Sequence, residues 1–154
     1  MLEKRILIVY HSEKWHTMFM ALNIEQSLKN LGVGVCLREV DKCLPEDMLD
    51  YDGVILGSPT YFSNMSWQVK KFLDESASLR LEGVSLEGKI GGSFTSSVSK
   101  KDGLDCIKMI EVALQVHHRM RVVTGIVAES DDSEENIVQL CHEYSRKIID
   151  CINN

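Results

Sequence analysis

Short apolar runs alternate along this chain with longer segments in which apolar residues recur every three or four positions. The short runs predict five strands, at about 5–10, 33–40, 52–57, 89–95 and 121–128. The longer segments predict helices at about 15–31, 65–80, 103–118 and 132–152. The polar stretch from Asp41 to Asp50 contains Pro45 and is expected to form a short helix or a loop. Alternation of strands and helices is typical of an α/β fold.

We therefore predict a doubly wound, five-stranded parallel sheet with helices on both faces. With 154 residues, the chain is long enough for one well-buried core, so a single domain over 1–154 is expected. Right-handed crossovers restrict the topology to a few possibilities, of which we favour the strand order 2-1-3-4-5. In that order the loops after the first, third and fourth strands share one end of the sheet, where ligands bind in open α/β folds.

The loop after the third predicted strand has the composition of a ligand-binding loop. Pro59 restricts its backbone, and several short polar side chains can form hydrogen bonds. The rings of Tyr61 and Phe62 could stack on a flat ligand, or they could simply pack against the edge of the sheet. Two adjacent rings in a loop of Ser, Thr and Asn favour binding. The predicted binding residues here are Ser58, Pro59, Thr60, Tyr61, Phe62, Ser63 and Asn64.

The loop between the first strand and the first helix is suited to an anion. The first N–H groups of a helix and the positive end of its dipole favour a phosphate, and the hydroxyls of Ser12 and Thr17 can add hydrogen bonds. Lys14 adds a positive charge. Trp15 could cover part of a ligand or pack against its neighbours. The predicted binding residues are Ser12, Lys14, Trp15, His16 and Thr17.

Composition excludes several other classes of function. The net charge of −6 argues against nucleic acid and anionic membranes as partners. Five cysteines without a CxxC pair indicate reduced thiols, and neither they nor the histidines have the spacing of a metal site. No stretch has the length and hydropathy of a membrane span, and the first strand leaves no room for a signal peptide, so a cytoplasmic protein is expected.

The segment 52–66, followed by Lys71-Phe72-Leu73-Asp74, is similar to the flavodoxin superfamily. Within that superfamily it resembles the WrbA-type NAD(P)H:quinone oxidoreductases and related FMN reductases. The resemblance implies a flavodoxin-like fold, FMN as the cofactor and NAD(P)H as the co-substrate. The segment 12–17 resembles the family's phosphate loop, although Trp15 stands where glycine is usual. The segment 91–97 resembles its third flavin loop, which adds Thr95, Ser96 and Ser97 to the predicted binding residues.

The pair His117-His118 resembles a paired histidine of the WrbA-type proteins, in which one member lies near the flavin across a subunit interface. The resemblance therefore implies a homo-oligomer, a dimer or a tetramer, and assigns substrate-side catalytic roles to His118 and Tyr61. The helical spacing of 107, 110, 114 and 117 instead places His117 on a buried stripe with Ile107, Ile110 and Leu114.

Three functions are compatible with these residues. The first is an enzyme that transfers electrons from NAD(P)H through FMN to a quinone or a similar small acceptor. The second is an electron carrier of flavodoxin type without NAD(P)H activity. The third is a flavodoxin-like domain that has lost FMN, which Trp15 and the short segment 98–103 would explain. Similarity of the central loop to the reductases favours the enzyme.

Overall fold

The computed structural model describes residues 3–154, and their central element is a predominantly parallel sheet. Its strands are β1 (Arg5–Tyr10), β2 (Gly34–Glu39), β3 (Gly53–Tyr61), β4 (Asn64–Met65), β5 (Ile90–Ser97), β6 (Arg121–Val122) and β7 (Ile126–Glu129). The α-helices are α1 (Trp15–Asn30), α2 (Trp67–Glu75), α3 (Ala77–Leu81), α4 (Lys100–Glu111) and α5 (Glu134–Ile152). Two 3-10 turns, Val40–Lys42 and Pro45–Asp50, connect β2 to β3, and a π-helical segment, Val112–His117, continues α4.

The sheet has the predicted strand order. The strands β2, β1, β3 and β5 follow one another in parallel, and both β6 and β7 pair in parallel with the free edge of β5. The predicted fifth strand at 121–128 is therefore two short pieces. The break contains Gly125, whose N–H donates to the Glu111 carboxylate at 2.7 Å and not to β5. A Cβ at this glycine would lie 2.2 Å from the Ser93 Oγ, so the close approach requires glycine.

Two hydrophobic layers cover the two faces of the sheet. Ile6 and Ile8 point toward α1 and α5, whereas Leu7 and Val9 point toward α2 and α4. This alternation follows from the two-residue period of a strand. All four side chains are buried, which explains why β1 reads as a continuous apolar run. No helix in residues 3–154 is long and apolar enough to cross a membrane.

Two helix predictions need correction. The predicted helix at 65–80 is two helices, α2 and α3, and the strand β3 continues to Tyr61 and turns back into the short antiparallel β4. The placement of His117 on a buried stripe is also wrong. Leu114 is buried as predicted, but the chain then widens into the π-helical segment, where the N–H of His118 donates to the carbonyl of Ala113 five residues earlier. This change rotates His117 into solvent and buries His118.

Candidate functional site

A cleft of about 190 Å³ lies at the carboxyl ends of the strands, where α1 begins beside the ends of β3 and β5. Eight of the predicted binding residues line it: Lys14, His16, Thr17, Pro59, Thr60, Tyr61, Ser96 and Ser97. Three further residues line the cleft without having been predicted: Glu13, Val98 and Ser130. Ser130 directly follows β7, so its position at the end of a strand was the available clue. The three predicted loops therefore meet at one end of the sheet.

Sheet register positions the hydroxyls of this cleft. Ser58 pairs with Thr95 and Pro59 pairs with Ser96 across β3 and β5. The hydroxyls of Thr17 and Ser96 are 2.8 Å apart, so a hydrogen bond ties the start of α1 to the end of β5. Polar side chains from three separate parts of the chain thus converge on one small volume.

Two predicted binding residues lie behind the cleft and not in it. Ser58 and Thr95 are fully buried. The Thr95 hydroxyl donates to the carbonyl of Ser58 at 2.6 Å, so its oxygen accepts from the Thr60 hydroxyl at 2.7 Å. The Ser58 hydroxyl donates to the carbonyl of Pro59 and accepts from the N–H of Ser66 at 2.9 Å. These two side chains hold Thr60 and the β3 backbone in place, and only their backbone groups could reach a ligand.

The loop before α1 is held open by its own hydrogen bonds. The Ser12 hydroxyl donates to the carbonyl of Lys14 and accepts from the N–H of Met18. Trp15 is the first residue of α1, and its ring stacks on that of His16 with centroids 4.4 Å apart and meets the edge of Phe19 at 5.1 Å. Trp15 therefore packs along the helix and does not line the cleft, and Ser12 shapes the loop from outside.

The segment between β3 and β4 is a strained hairpin turn. Its two central residues, Phe62 and Ser63, have φ angles of 49° and 64°, which is the left-handed conformation of a type I′ turn. Such turns usually contain Asn-Gly, and a bulky residue in this conformation costs about 1–2 kcal/mol. The Phe62 side chain is completely exposed, so packing does not offset this strain. Strain of this kind is concentrated at functional sites.

A hydrogen bond anchors the turn to α4. The Ser63 hydroxyl donates to the Asp102 carboxylate at 2.8 Å, and the Ser99 hydroxyl donates to the other oxygen of the same carboxylate at 3.0 Å. These two bonds hold the pKa of Asp102 below its usual value. The neighbouring Asn64 is exposed, and its side-chain oxygen accepts from the N–H of Met65.

The electrostatics of the cleft are mixed. Lys14 brings a positive charge and Glu13 a negative one, and the Glu13 carboxylate contacts the Nε2 of His11 at 2.8 Å. Partial burial raises the pKa of Tyr61, and the Glu13 carboxylate raises it further, so the phenol stays neutral at physiological pH. Tyr61 can therefore donate a hydrogen bond to a ligand in this cleft.

His118, one of the two predicted catalytic residues, does not line this cleft within a single chain. It is 6% exposed and lines two cavities beside α3. Its Nε2 is 2.8 Å from the hydroxyl of Ser76. Burial lowers the pKa of His118, and the positive charge of Arg80 lowers it further. Any contact between this imidazole and a ligand in the cleft would need a second copy of the chain.

The shape of the site fits a long ligand with one polar and one flat end. The cleft itself is smaller than the roughly 300–1,000 Å³ of ordinary ligand pockets, so it can enclose only part of such a molecule. Its inner half offers hydroxyls and the start of α1. The half-exposed ring of Tyr61 also lines the cleft, whereas Phe62, the next residue in the turn, is fully exposed and does not line it.

Comparison with solved structures confirms the fold. A flavodoxin, WrbA-like protein from Agrobacterium tumefaciens superposes with a TM-score of 0.81 at 25% identity, covering 97% of this chain and 98% of that one. Flavodoxin 2 from Bacillus cereus superposes with a TM-score of 0.78 at 27% identity, covering 95% of this chain and 98% of that one. Flavodoxin 1 from Bacillus cereus superposes with a TM-score of 0.82 at 20% identity, which shows the likeness of the fold alone. The predicted flavodoxin-like architecture is therefore correct.

Sequence comparison identifies the family. A protein from Paracoccus denitrificans named NAD(P)H dehydrogenase (quinone) is 30% identical over 142 residues, in a match that covers 79% of this chain. NAD(P)H dehydrogenase (quinone) 3 of Rhizobium meliloti is 30% identical over 139 residues, in a match that covers 77% of this chain. The chain spans 65% of the length of each of these relatives. Residues 39–134 match the family described as NADPH-dependent FMN reductase. The predicted resemblance is confirmed, and the chain belongs to the NADPH-dependent FMN reductase family.

Proposed function

We propose that this chain binds FMN in the cleft and transfers electrons from NAD(P)H to a quinone or a similar small acceptor. The observation that carries the proposal is the convergence of Thr17, Thr60 and Ser96 at the start of α1, next to the exposed rings of the hairpin. Family membership and the activities for which the relatives are named support the same assignment.

The residues at the start of α1 fit the phosphate of FMN. The first N–H groups of a helix have no acceptor within the helix, and this helix has no acidic residue in its first turn. Thr17 and Lys14 add a hydroxyl and a positive charge. The Trp15 ring lies along the helix surface, so the bulky residue in the place of glycine does not fill the cleft.

The residues of the hairpin fit the flat ring system. Tyr61 and Phe62 would flank it, and the polar groups of Thr60, Ser96 and Ser97 would lie along its polar side and chain. Bound FMN supplies the hydride and electron chemistry, while the protein supplies orientation and controls access. The neutral Tyr61 phenol would donate a hydrogen bond on the substrate side.

We also infer that the chain forms a homo-oligomer. Val98, which lines the cleft, and Phe62, which follows the cleft residue Tyr61, are large exposed apolar side chains that a second copy would cover. A catalytic role for His118 depends on such an arrangement. The odd number of cysteines supports a reducing compartment such as the cytoplasm.

The proposal is tested by absorption spectroscopy of the purified protein with and without added FMN, followed by anaerobic addition of NADH and then NADPH. We expect bound flavin that a nicotinamide bleaches within seconds. Thr17→Ala and Tyr61→Ala should each weaken FMN binding about tenfold, because each removes a contact to a charged or stacked group. Thr124→Ala, at an exposed threonine outside the cleft, is the matched control and should bind FMN normally. Unchanged affinity in both test variants would refute the site.

An electron carrier is the second candidate. The complete exposure of Phe62 favours it, because an exposed ring beside a cofactor is a suitable contact for a protein partner. Bound flavin that neither NADH nor NADPH bleaches would support the carrier and refute the reductase.

A further inference from the structure

A second cavity, larger than the proposed FMN cleft, lies apart from it between α2, α3 and the π-helical segment. We call it the α3 groove. Its volume is about 390 Å³, which is within the range of ordinary ligand pockets. Its walls are mainly apolar, and they include Leu73 and Ala77 on one side and Met109, Val112 and Ala113 on the other. The groove can therefore hold the apolar body of a small molecule.

The charges around the α3 groove do not cancel. Lys70 and Asp74 both line it, but they form an ion pair with each other at 2.5 Å. Arg80 also lines it and has no carboxylate within ion-pair distance in the part of the chain that the structure describes. The groove thus combines an apolar interior with one free guanidinium.

His118 lies at the inner end of this groove and has a defined tautomer. The Ser76 hydroxyl donates its only hydrogen to the carbonyl of Leu73 at 2.6 Å, so its oxygen accepts from the imidazole. The Nε2 of His118 therefore carries the proton. The Nδ1 forms no hydrogen bond within residues 3–154 and is not a buried atom, so a ligand can reach it. Nearby, His117 lines the same groove and is exposed.

We propose that the α3 groove binds a small monocarboxylic acid with an apolar body. The carboxylate pairs with the Arg80 guanidinium, and the apolar body packs against the Met109 and Val112 side. The negative charge offsets the repulsion between Arg80 and a protonated imidazole, so binding favours a proton on the Nδ1 of His118, which then donates to the carboxylate. A cationic ligand meets Arg80 and is excluded, and a neutral one gains only the apolar contacts.

A series of ligands that share one apolar body tests this proposal. Octanoate, octanol and octylammonium differ in the charge of the head group and compete with the fluorescent probe anilinonaphthalene sulfonate. We expect octanoate to displace the probe at least tenfold more effectively than octanol, and octylammonium to be the weakest. Equal displacement by octanoate and octanol would overturn the proposal.

Three variants locate the binding. Arg80→Gln should weaken octanoate binding about tenfold and leave octanol unchanged, because only the charged contact is lost. Ala77→Phe should fill the groove and abolish the binding of both octanoate and octanol. Arg146→Gln, at an exposed arginine of α5, is the matched control and should have no effect. The assignment would be refuted if the control lost octanoate binding, or if Arg80→Gln bound octanoate as tightly as the unchanged protein.

Two further measurements separate this site from other occupants and from the proposed function. The NMR signals of His118 should show a raised pKa when octanoate is bound. In sedimentation, the homo-oligomer inferred above should persist in Ala77→Phe. If a second copy of the chain covers the groove instead, Ala77→Phe will dissociate the oligomer and octanoate will not bind, which would overturn the proposal. The FMN absorption spectrum should be the same in Ala77→Phe and in the unchanged protein, so failure of one site does not imply failure of the other.

Discussion

The proposed FMN cleft and the α3 groove differ in what positions their residues. The cleft lies at the ends of strands, where sheet register fixes which residues meet, as in the pairing of Ser58 with Thr95. The groove lies along helices, and its inner end depends on the change from α-helical to π-helical geometry before His118. A residue at a strand end can therefore be placed from the sequence, whereas helical phase is lost at such a change.

The largest loss of stability is expected from a substitution at Gly57, which lies in β3 just before the cleft. A Cβ here would lie 2.1 Å from the ring of Phe94, which is completely buried and cannot move away. Gly57→Ala should lower the free energy of unfolding by about 2–3 kcal/mol, measured by urea denaturation, and should also weaken FMN binding. Gly34→Ala is the control, because the nearest atoms to its Cβ would belong to the flexible side chains of Glu3 and Arg5, at 3.3 Å or more. Equal losses in the two variants would mean that Phe94 does not fix the cleft.

A smaller loss of stability is expected from a substitution beside the α3 groove. Ser76→Ala removes the acceptor of the His118 Nε2–H, which leaves a buried donor without a partner. The free energy of unfolding should fall by about 1–2 kcal/mol. Ser78→Ala, two residues later in α3, removes a hydroxyl that bonds only to the carbonyl of Glu75, and it should change stability by less than about 0.5 kcal/mol. If Ser76→Ala is equally mild, the tautomer assigned to His118 is wrong.

A substitution in the hairpin turn should instead raise the stability of the protein. Phe62→Gly replaces an exposed side chain in the left-handed conformation by the residue that adopts it without strain. We expect the free energy of unfolding to rise by about 1 kcal/mol and FMN binding to weaken, because the ring is kept for the ligand at a cost in stability. A variant that is less stable than the parent would show that the Phe62 ring packs against the protein.

The sequence was sufficient for the sheet and for most of the cleft. Apolar runs followed by short polar residues located β1, β3 and β5, and their loops meet as predicted. The buried positions of Ser58 and Thr95 could not be predicted, because a short polar residue at a strand end can face either the ligand or the interior. The exposure of His117 and the burial of His118 could not be predicted, since nothing in the local pattern marks the π-helical segment. The α3 groove is formed by residues from separate helices, so no continuous sequence motif predicts it.

The smallest effect concerns the bond that ties the hairpin to α4. Hydrogen bonds from Ser63 and Ser99 lower the pKa of Asp102 in the folded protein, so its ionised form stabilises the fold above the usual pKa of about 3.8, and this contribution is lost as the pH falls through the lowered value. Asp102→Asn should therefore destabilise the protein at neutral pH, and the difference in free energy of unfolding should shrink as both proteins are titrated into acid. Asp105→Asn, which removes an exposed partner of Lys101, is the control and should give a smaller difference at neutral pH. A difference for Asp102→Asn that stays constant with pH would mean that the carboxylate charge does not hold the turn, and that the left-handed conformation of Phe62 is maintained by the β3–β4 pairing alone.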